Sequence, residues 1–266
     1  MSHDSLLVDS VHWRWIDAKN WAATIFYKRT LCRGFFGALE KVAEAGYDGV
    51  EFAGYYEKTS TDLYNTLKGI GLQAAGSHIS IEQLESNLDQ VIEYSHKIES
   101  PYIICPGLPD SYRDNADAYK RTAELFTKIG DKTSEAGIAF GYHNHDIELK
   151  KFEGEYGLDL LFRYSDPKAV FMELDTFWLE ATGLKSVDWI RKYKERVKLL
   201  HMKDMNNAQD LRNVEVGSGI MDFHAIHQTA KAYQVDWYTV EQEEFDKDEF
   251  VSIKESATFL QQLLKA

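Results

Sequence analysis

What this sequence holds little of narrows it first. Two cysteines occur in 266 residues, Cys32 and Cys105. They form no C-x-x-C pair, which argues against a disulfide framework and against the usual redox and zinc motifs. Basic charge is also short. Thirty Lys and Arg stand against 43 Asp and Glu, a net charge of −13, and no Lys/Arg cluster breaks that balance. Neither nucleic acid nor an anionic membrane is therefore expected as a partner. No stretch reaches the roughly 18 apolar residues of a membrane span. The first twenty residues lack a basic stretch followed by an apolar run, so no secretory signal is read and a cytoplasmic protein is expected. No G-x-G-x-x-G follows a strand-like run, which disfavours an open dinucleotide-binding sheet. The Gly-rich VGSGIMD at 216–222 falls in a long loop instead.

What is present is an alternation. Short strand-like runs are WAATIFY (21–27), YDGVEF, LQAAGSH, PYIIC, IAFGYH, AVFMELD, VKLLH and WYTVE. Between them, apolar positions recur at helical spacing over 34–45, 61–70, 81–98, 115–136, 157–164, 186–194, 222–232 and 247–264. Gly46, Gly71 and Gly137 stand where three of these helices should stop. Eight strand–helix units with short buried strands predict an α/β fold with a parallel sheet, closed as a (β/α)8 TIM barrel of about 250 residues. One domain is expected over 21–266, preceded by a short N-terminal extension, 1–20. Trp13, Trp15 and Trp21 cluster near that extension. They suit a cover over the barrel or a subunit contact, which makes a dimer or tetramer plausible.

Seven of the eight runs end on a group that can ligate a metal or move a proton: Glu51, His78, Cys105, His143, Asp175, His201 and Glu241. A parallel barrel builds its active site in this way, from the ends of several strands. Alternate residues face inward, so His143 pairs with His145, Glu173 with Asp175, His201 with Lys203, and Glu241 with Glu243. If His143, Asp175, His201 and Glu241 point in, four consecutive strands offer N, O, N and O donors. That mixture suits one divalent transition metal, Mn, Co, Fe or Zn, better than Mg or Ca. Single residues also have plainer readings. Asp175 can cap the next helix, and Cys105 reads as a buried small hydrophobe before Pro106-Gly107. His96, His224 and His227 read as surface or supporting residues. Tyr55, Tyr56, Phe177 and Trp178 suit either an apolar wall for a sugar ring or packing.

These residues resemble the xylose isomerase-like TIM-barrel family of sugar isomerases, epimerases and dehydratases. The resemblance runs from about residue 22 to the C-terminus. It is carried by GYDGVEFAGYY (46–56), GYHNHDIEL (141–149), MELDTFWLEATG (172–183), LLHMKDM (199–205), VGSGIMDF (216–223) and VEQEEFD (240–246). It implies one divalent ion, most often Mn or Co, held by His143, Asp175, His201 and Glu241. It also implies that Glu51, His78 and Lys203 line a carbohydrate pocket; Trp178, from its own sequence position, is the further candidate for substrate contact. In the ketose 3-epimerases of the family the strand-5 ligand is a glutamate, and here it is His143, a departure shared with inosose dehydratases. The chemistry expected is loss of an α-proton next to a carbonyl, giving an enediolate. Glu241 is the candidate base, with His145 and Lys203 as proton donors. Isomerisation or epimerisation is the first expectation. Elimination from a keto-sugar, keto-glycoside or inosose is the alternative, and a sugar-binding barrel without turnover is a third. With no phosphate cradle in view, a non-phosphorylated substrate is favoured. The apurinic endonuclease branch fits poorly with the acidic charge.

Overall fold

In the computed structural model, which describes residues 21–25 and 34–265, the apolar runs become eight parallel strands. They are β1 (Trp21–Ile25), β2 (Gly49–Phe52), β3 (Gln73–His78), β4 (Tyr102–Cys105), β5 (Ala139–His143), β6 (Val170–Asp175), β7 (Val197–Met202) and β8 (Trp237–Val240). Each pairs with its sequence neighbour, and β1 pairs with both β2 and β8, so the barrel closes. Closure removes every sheet edge. The (β/α)8 expectation is met. Trp13, Trp15, Cys32 and the proposed N-terminal extension lie outside the described residues.

The outer ring comprises ten α-helices among the described residues, against eight expected. They are α1 (Phe35–Ala45), α2 (Ser60–Ile70), α3 (Ile81–Ser86), α4 (Leu88–Lys97), α5 (Ala116–Glu135), α6 (Gly157–Tyr164), α7 (Thr176–Ala181), α8 (Ser186–Lys192), α9 (Phe223–Lys231) and α10 (Glu249–Leu263). Two differences account for the count. The single helix expected over 81–98 breaks at Asn87, whose φ of −138° and ψ of 29° leave the helical region. Leu84 and Leu88, four apart, carry the apolar period straight across the break and hide it. The second difference is α7, one and a half turns that start as soon as β6 ends. Two small antiparallel hairpins also lie outside the repeat, Lys151–Phe152 with Glu155–Tyr156 and Asp204–Met205 with Asn213–Val214. No helix among the described residues is long and apolar enough to cross a membrane.

Strand alternation sorts the side chains. Val170, Met172 and Leu174 of β6 join the apolar layer between strands and helices. Phe171 faces the barrel interior, where it meets Ala75, Ile104, Leu199 and Trp237 in a separate buried cluster. Gly141 permits this, because a Cβ there would lie 2.5 Å from the Phe171 ring. Two residues further along the same strands, the interior changes character. Phe171 gives way to Glu173 and then Asp175, Leu199 to His201 and then Lys203, and Trp237 to Thr239 and then Glu241, all of them buried.

Candidate metal centre and active site

Strand ends bring His143, Asp175, His201 and Glu241 together, with one donor atom from each within 4.8 Å of the others. All four are at most 3% exposed. Asp175 divides its carboxylate. Oδ1 accepts the backbone N–H of Phe177 (2.8 Å) and Trp178 (3.3 Å), capping α7, and Oδ2 is buried without a hydrogen-bond partner. The helix-cap reading and the ligand reading of Asp175 are thus compatible, one per oxygen. Asn144 steadies the residue by accepting the Asp175 backbone N–H at 3.0 Å. Two imidazoles and two carboxylates, one with an orphaned oxygen, make a donor set that fits a divalent transition metal.

A second set lies beneath the first. Glu173, two residues earlier than Asp175 on β6, is fully buried, and its Oε2 is 2.8 Å from His78 Nε2. The same oxygen is 3.2 Å from His143 Nδ1 and 3.4 Å from His201 Nε2. Glu51 Oε1 lies 2.8 Å from His201 Nε2 and 3.0 Å from His78 Nε2. Gly76 leaves room for Glu51, since a Cβ there would come within 3.1 Å of the carboxylate. His78, His143, Glu173 and His201 also meet the distance test for a cation. Glu51 and His78, expected to line the pocket, are therefore embedded below the strand-end quartet. Strand alternation in the sequence marks Glu173 only as a same-face companion of Asp175. That two-residue spacing was the available signal for its place here.

Burial and charge tune these groups against one another. Burial, reinforced by Glu243, pushes the Glu241 carboxyl up to about 8. Burial likewise lifts Glu173, with Glu51 adding to the effect, to about 7. For Glu51 burial acts upward too, but His78 and His201 outweigh it and hold the carboxyl well below its ordinary range. Burial opposes a charged His78, yet Glu51 and Glu173 raise that ring to about 10. His143 is held well below the usual imidazole range by burial and then by His201. His145 is held at about 4 by burial and then by Lys203, so it is neutral at pH 7.

Around the quartet, Lys203 is 2% exposed and bonds Glu243. Its ammonium lies 5.1 Å from both the Phe177 and the Trp178 rings. Trp178 is half-buried, its ring 5.8 Å from that of His145. Glu148, not singled out in the sequence, secures the His145 loop. It accepts from the Tyr142 hydroxyl and from the His145 backbone N–H, each at 2.8 Å. Asp204 does the same for the Gly-rich segment 216–222. Its carboxylate accepts backbone N–H groups from Met205, Gly217, Gly219 and Met221 at 2.9 to 3.1 Å. A Cβ at Gly219 would sit 2.3 Å from Asp204 Oδ1, so only glycine fits.

Other candidates are packing. Tyr55 stacks on Tyr94 at 3.8 Å and Tyr56 lies against Phe35, both on the side of the aromatic core. Cys105 is buried, donates to the Gly107 carbonyl and has its thiol pushed up to about 12 by burial, an unreactive state. His96 and His224 are exposed, whereas His227 is buried with Nδ1 3.1 Å from the Tyr238 hydroxyl.

Comparison with known proteins identifies the family of the fold. An inosose dehydratase from Clostridium botulinum is 25% identical over 191 residues, covering 64% of this chain and 63% of that protein, just under two thirds of its length. An inosose dehydratase from Lacticaseibacillus casei is 25% identical over 247 residues, covering 79% of this chain and 82% of the relative. A solved structure of a sugar phosphate isomerase/epimerase from Parabacteroides distasonis superposes with a TM-score of 0.79 at 27% identity, over 96% of this chain and 97% of the other. The family model for the xylose isomerase-like TIM barrel matches residues 39–263, and the chain belongs to that family.

Proposed function

We propose that this chain is a divalent-metal-dependent lyase or dehydratase that takes a proton from the carbon next to a carbonyl of a non-phosphorylated keto-sugar, keto-glycoside or keto-cyclitol and expels a β-substituent. The observation that carries the reading is the unlike character of the proton-handling groups beside the quartet. Glu241, whose carboxyl is held up to about 8 in the metal-free protein, becomes a carboxylate base once a metal displaces its proton. Lys203 is a buried lysine bonded to Glu243 and His145 a neutral imidazole, neither equivalent to Glu241. The two-glutamate form of epimerisation calls for two like carboxylates working on opposite faces of one carbon, and His143 stands where one of them would be. Elimination calls for a base and a different donor that protonates the departing oxygen. The names of the curated relatives favour the same choice.

His143, Asp175, His201 and Glu241 would hold the metal, Mn or Co by preference, with Zn or Fe as alternatives. When bound, it would supply Lewis-acid stabilisation of the negative charge that builds on the carbonyl oxygen. Glu241 takes the α-proton. Lys203, held between Glu243 and the two aromatic rings, would donate to the leaving oxygen, with His145 as the alternative donor. Phe177 and Trp178 present apolar rings to the Lys203 side chain on this side.

A second reading, isomerisation or epimerisation, is supported by the Parabacteroides distasonis likeness and proceeds from the same proton abstraction. Incubation of the Mn- or Co-loaded protein in D2O with keto-sugars, keto-glycosides and an inosose separates them. Elimination gives a product that has lost water or aglycone. A product of unchanged mass apart from deuterium assigns isomerisation or epimerisation. Tight binding without α-proton exchange leaves a sugar-binding barrel.

A further inference from the structure

Two imidazoles, His143 and His201, belong to both donor sets, and each spans them with opposite nitrogens. His201 Nδ1 is 2.9 Å from Glu241 Oε2 in the upper set, while its Nε2 is 2.8 Å from Glu51 Oε1 in the lower. His143 Nε2 is 3.9 Å from Asp175 Oδ2 above, while its Nδ1 is 3.2 Å from Glu173 Oε2 below, near in distance though off the line of a hydrogen bond. A neutral imidazole has one N–H and one lone pair. Whichever nitrogen donates downward leaves the other free to ligate upward.

We infer that Glu51 and Glu173 are positioning residues that select the nitrogen each imidazole offers, Glu51 through its hydrogen bond to His201 Nε2 and Glu173 through its negative charge 3.2 Å from His143 Nδ1, directing His201 Nδ1 and His143 Nε2 to the upper site. This rests on the metal-site reading above. The lower carboxylates cannot easily swing away, because His78 Nε2 ties them together, 2.8 Å from Glu173 and 3.0 Å from Glu51. Carboxylates behind ligating imidazoles fix ring orientation and raise ligand basicity, and their loss typically weakens metal binding about ten- to hundredfold. The arrangement also makes the two donor sets mutually exclusive for neutral imidazoles. A cation in the lower set would need the lone pairs of His143 Nδ1 and His201 Nε2, the nitrogens that must carry protons when the upper site is filled. One ion per chain follows; the upper set offers Asp175 Oδ2 as an unpartnered oxygen, whereas the unpartnered Glu51 Oε2 and Glu173 Oε1 of the lower set belong to carboxylates already engaged by His78.

Long-range proton–nitrogen correlation of the 15N-histidine-labelled, Zn-loaded protein tests this. The expected pattern is zinc on His201 Nδ1 and His143 Nε2, with the other nitrogen of each ring protonated. The reverse pattern, or two zinc ions per chain, overturns the inference. In parallel, Glu51→Gln and Glu173→Gln are expected to weaken zinc binding about ten- to hundredfold while the metal-free variants melt as cooperatively as the wild type. Unchanged affinity in both variants sinks the inference alone. A wild-type chain that takes up no metal sinks the metal reading and the inference with it. If a variant fails to fold, the wild-type labelling pattern decides.

Discussion

The barrel interior has a floor and a mouth, built from the same strands two residues apart. The floor, Ala75, Ile104, Phe171, Leu199 and Trp237, is apolar. The mouth packs Glu51, His78, His143, Glu173, Asp175, His201 and Glu241 at comparable burial. Fully burying one large apolar side chain contributes roughly 1.5–3 kcal/mol. Burying a charge does the opposite unless a partner or a metal offsets it. One backbone ladder thus supports an apolar, stabilising layer and a buried layer of ionisable groups. The rigidity of the first holds the second in place.

The sharpest way to test that division is to damage each layer separately. Glu241→Gln should reduce α-proton exchange into solvent by about 10²–10⁴-fold while leaving the fold intact by circular dichroism. Phe171→Ala should cost about 3–5 kcal/mol in urea unfolding yet retain the same metal content per chain. If the Phe171 variant folds but takes up no metal, the two layers are not separable as described. A subtler effect concerns pH. Glu241 holds its proton up to about 8 in the metal-free protein, and a metal must displace it. Metal affinity should therefore climb with pH and flatten above about 8, as read by titration at fixed ionic strength. The same raised value means that the stability it lends the metal-free fold is present at low pH and lost as pH rises through about 8. Melting temperature with and without metal should then diverge over that range. The smallest effect lies outside both layers. Asn115, exposed, caps α5 by accepting the Ala118 backbone N–H at 2.9 Å. Asn115→Ala should cost about 1 kcal/mol and leave metal uptake unchanged.

How legible each layer was in the sequence follows the same division. The strand-end groups were visible because a period of one strand plus one helix spaces them, and that period comes from the backbone. The quartet His143, Asp175, His201 and Glu241 could be proposed before any coordinates for this reason. The lower set was less visible. Glu173 sits inside MELD, where it reads as an ordinary alternate residue. Its importance arises only from His78 and Glu51, brought in from strands across the barrel. Glu148 was hidden similarly, since it serves a backbone N–H three residues away. Breaks that leave hydrophobic spacing intact, as at Asn87, give no periodic signal. The Glu153-Gly154 turn, with both φ values positive, joins two strands of two residues each, too short to show alternation.

Asp204 has a consequence for how this scaffold can change. Its carboxylate gathers the start and the end of a long excursion from the barrel, and the strand pairing of Asp204–Met205 with Asn213–Val214 closes the neck. The stretch 206–212 beyond that neck is tethered at both ends and largely outside the core. Because its two ends are fixed by Asp204 and by that strand pairing, a change of length at its tip would leave the quartet where the strands put it.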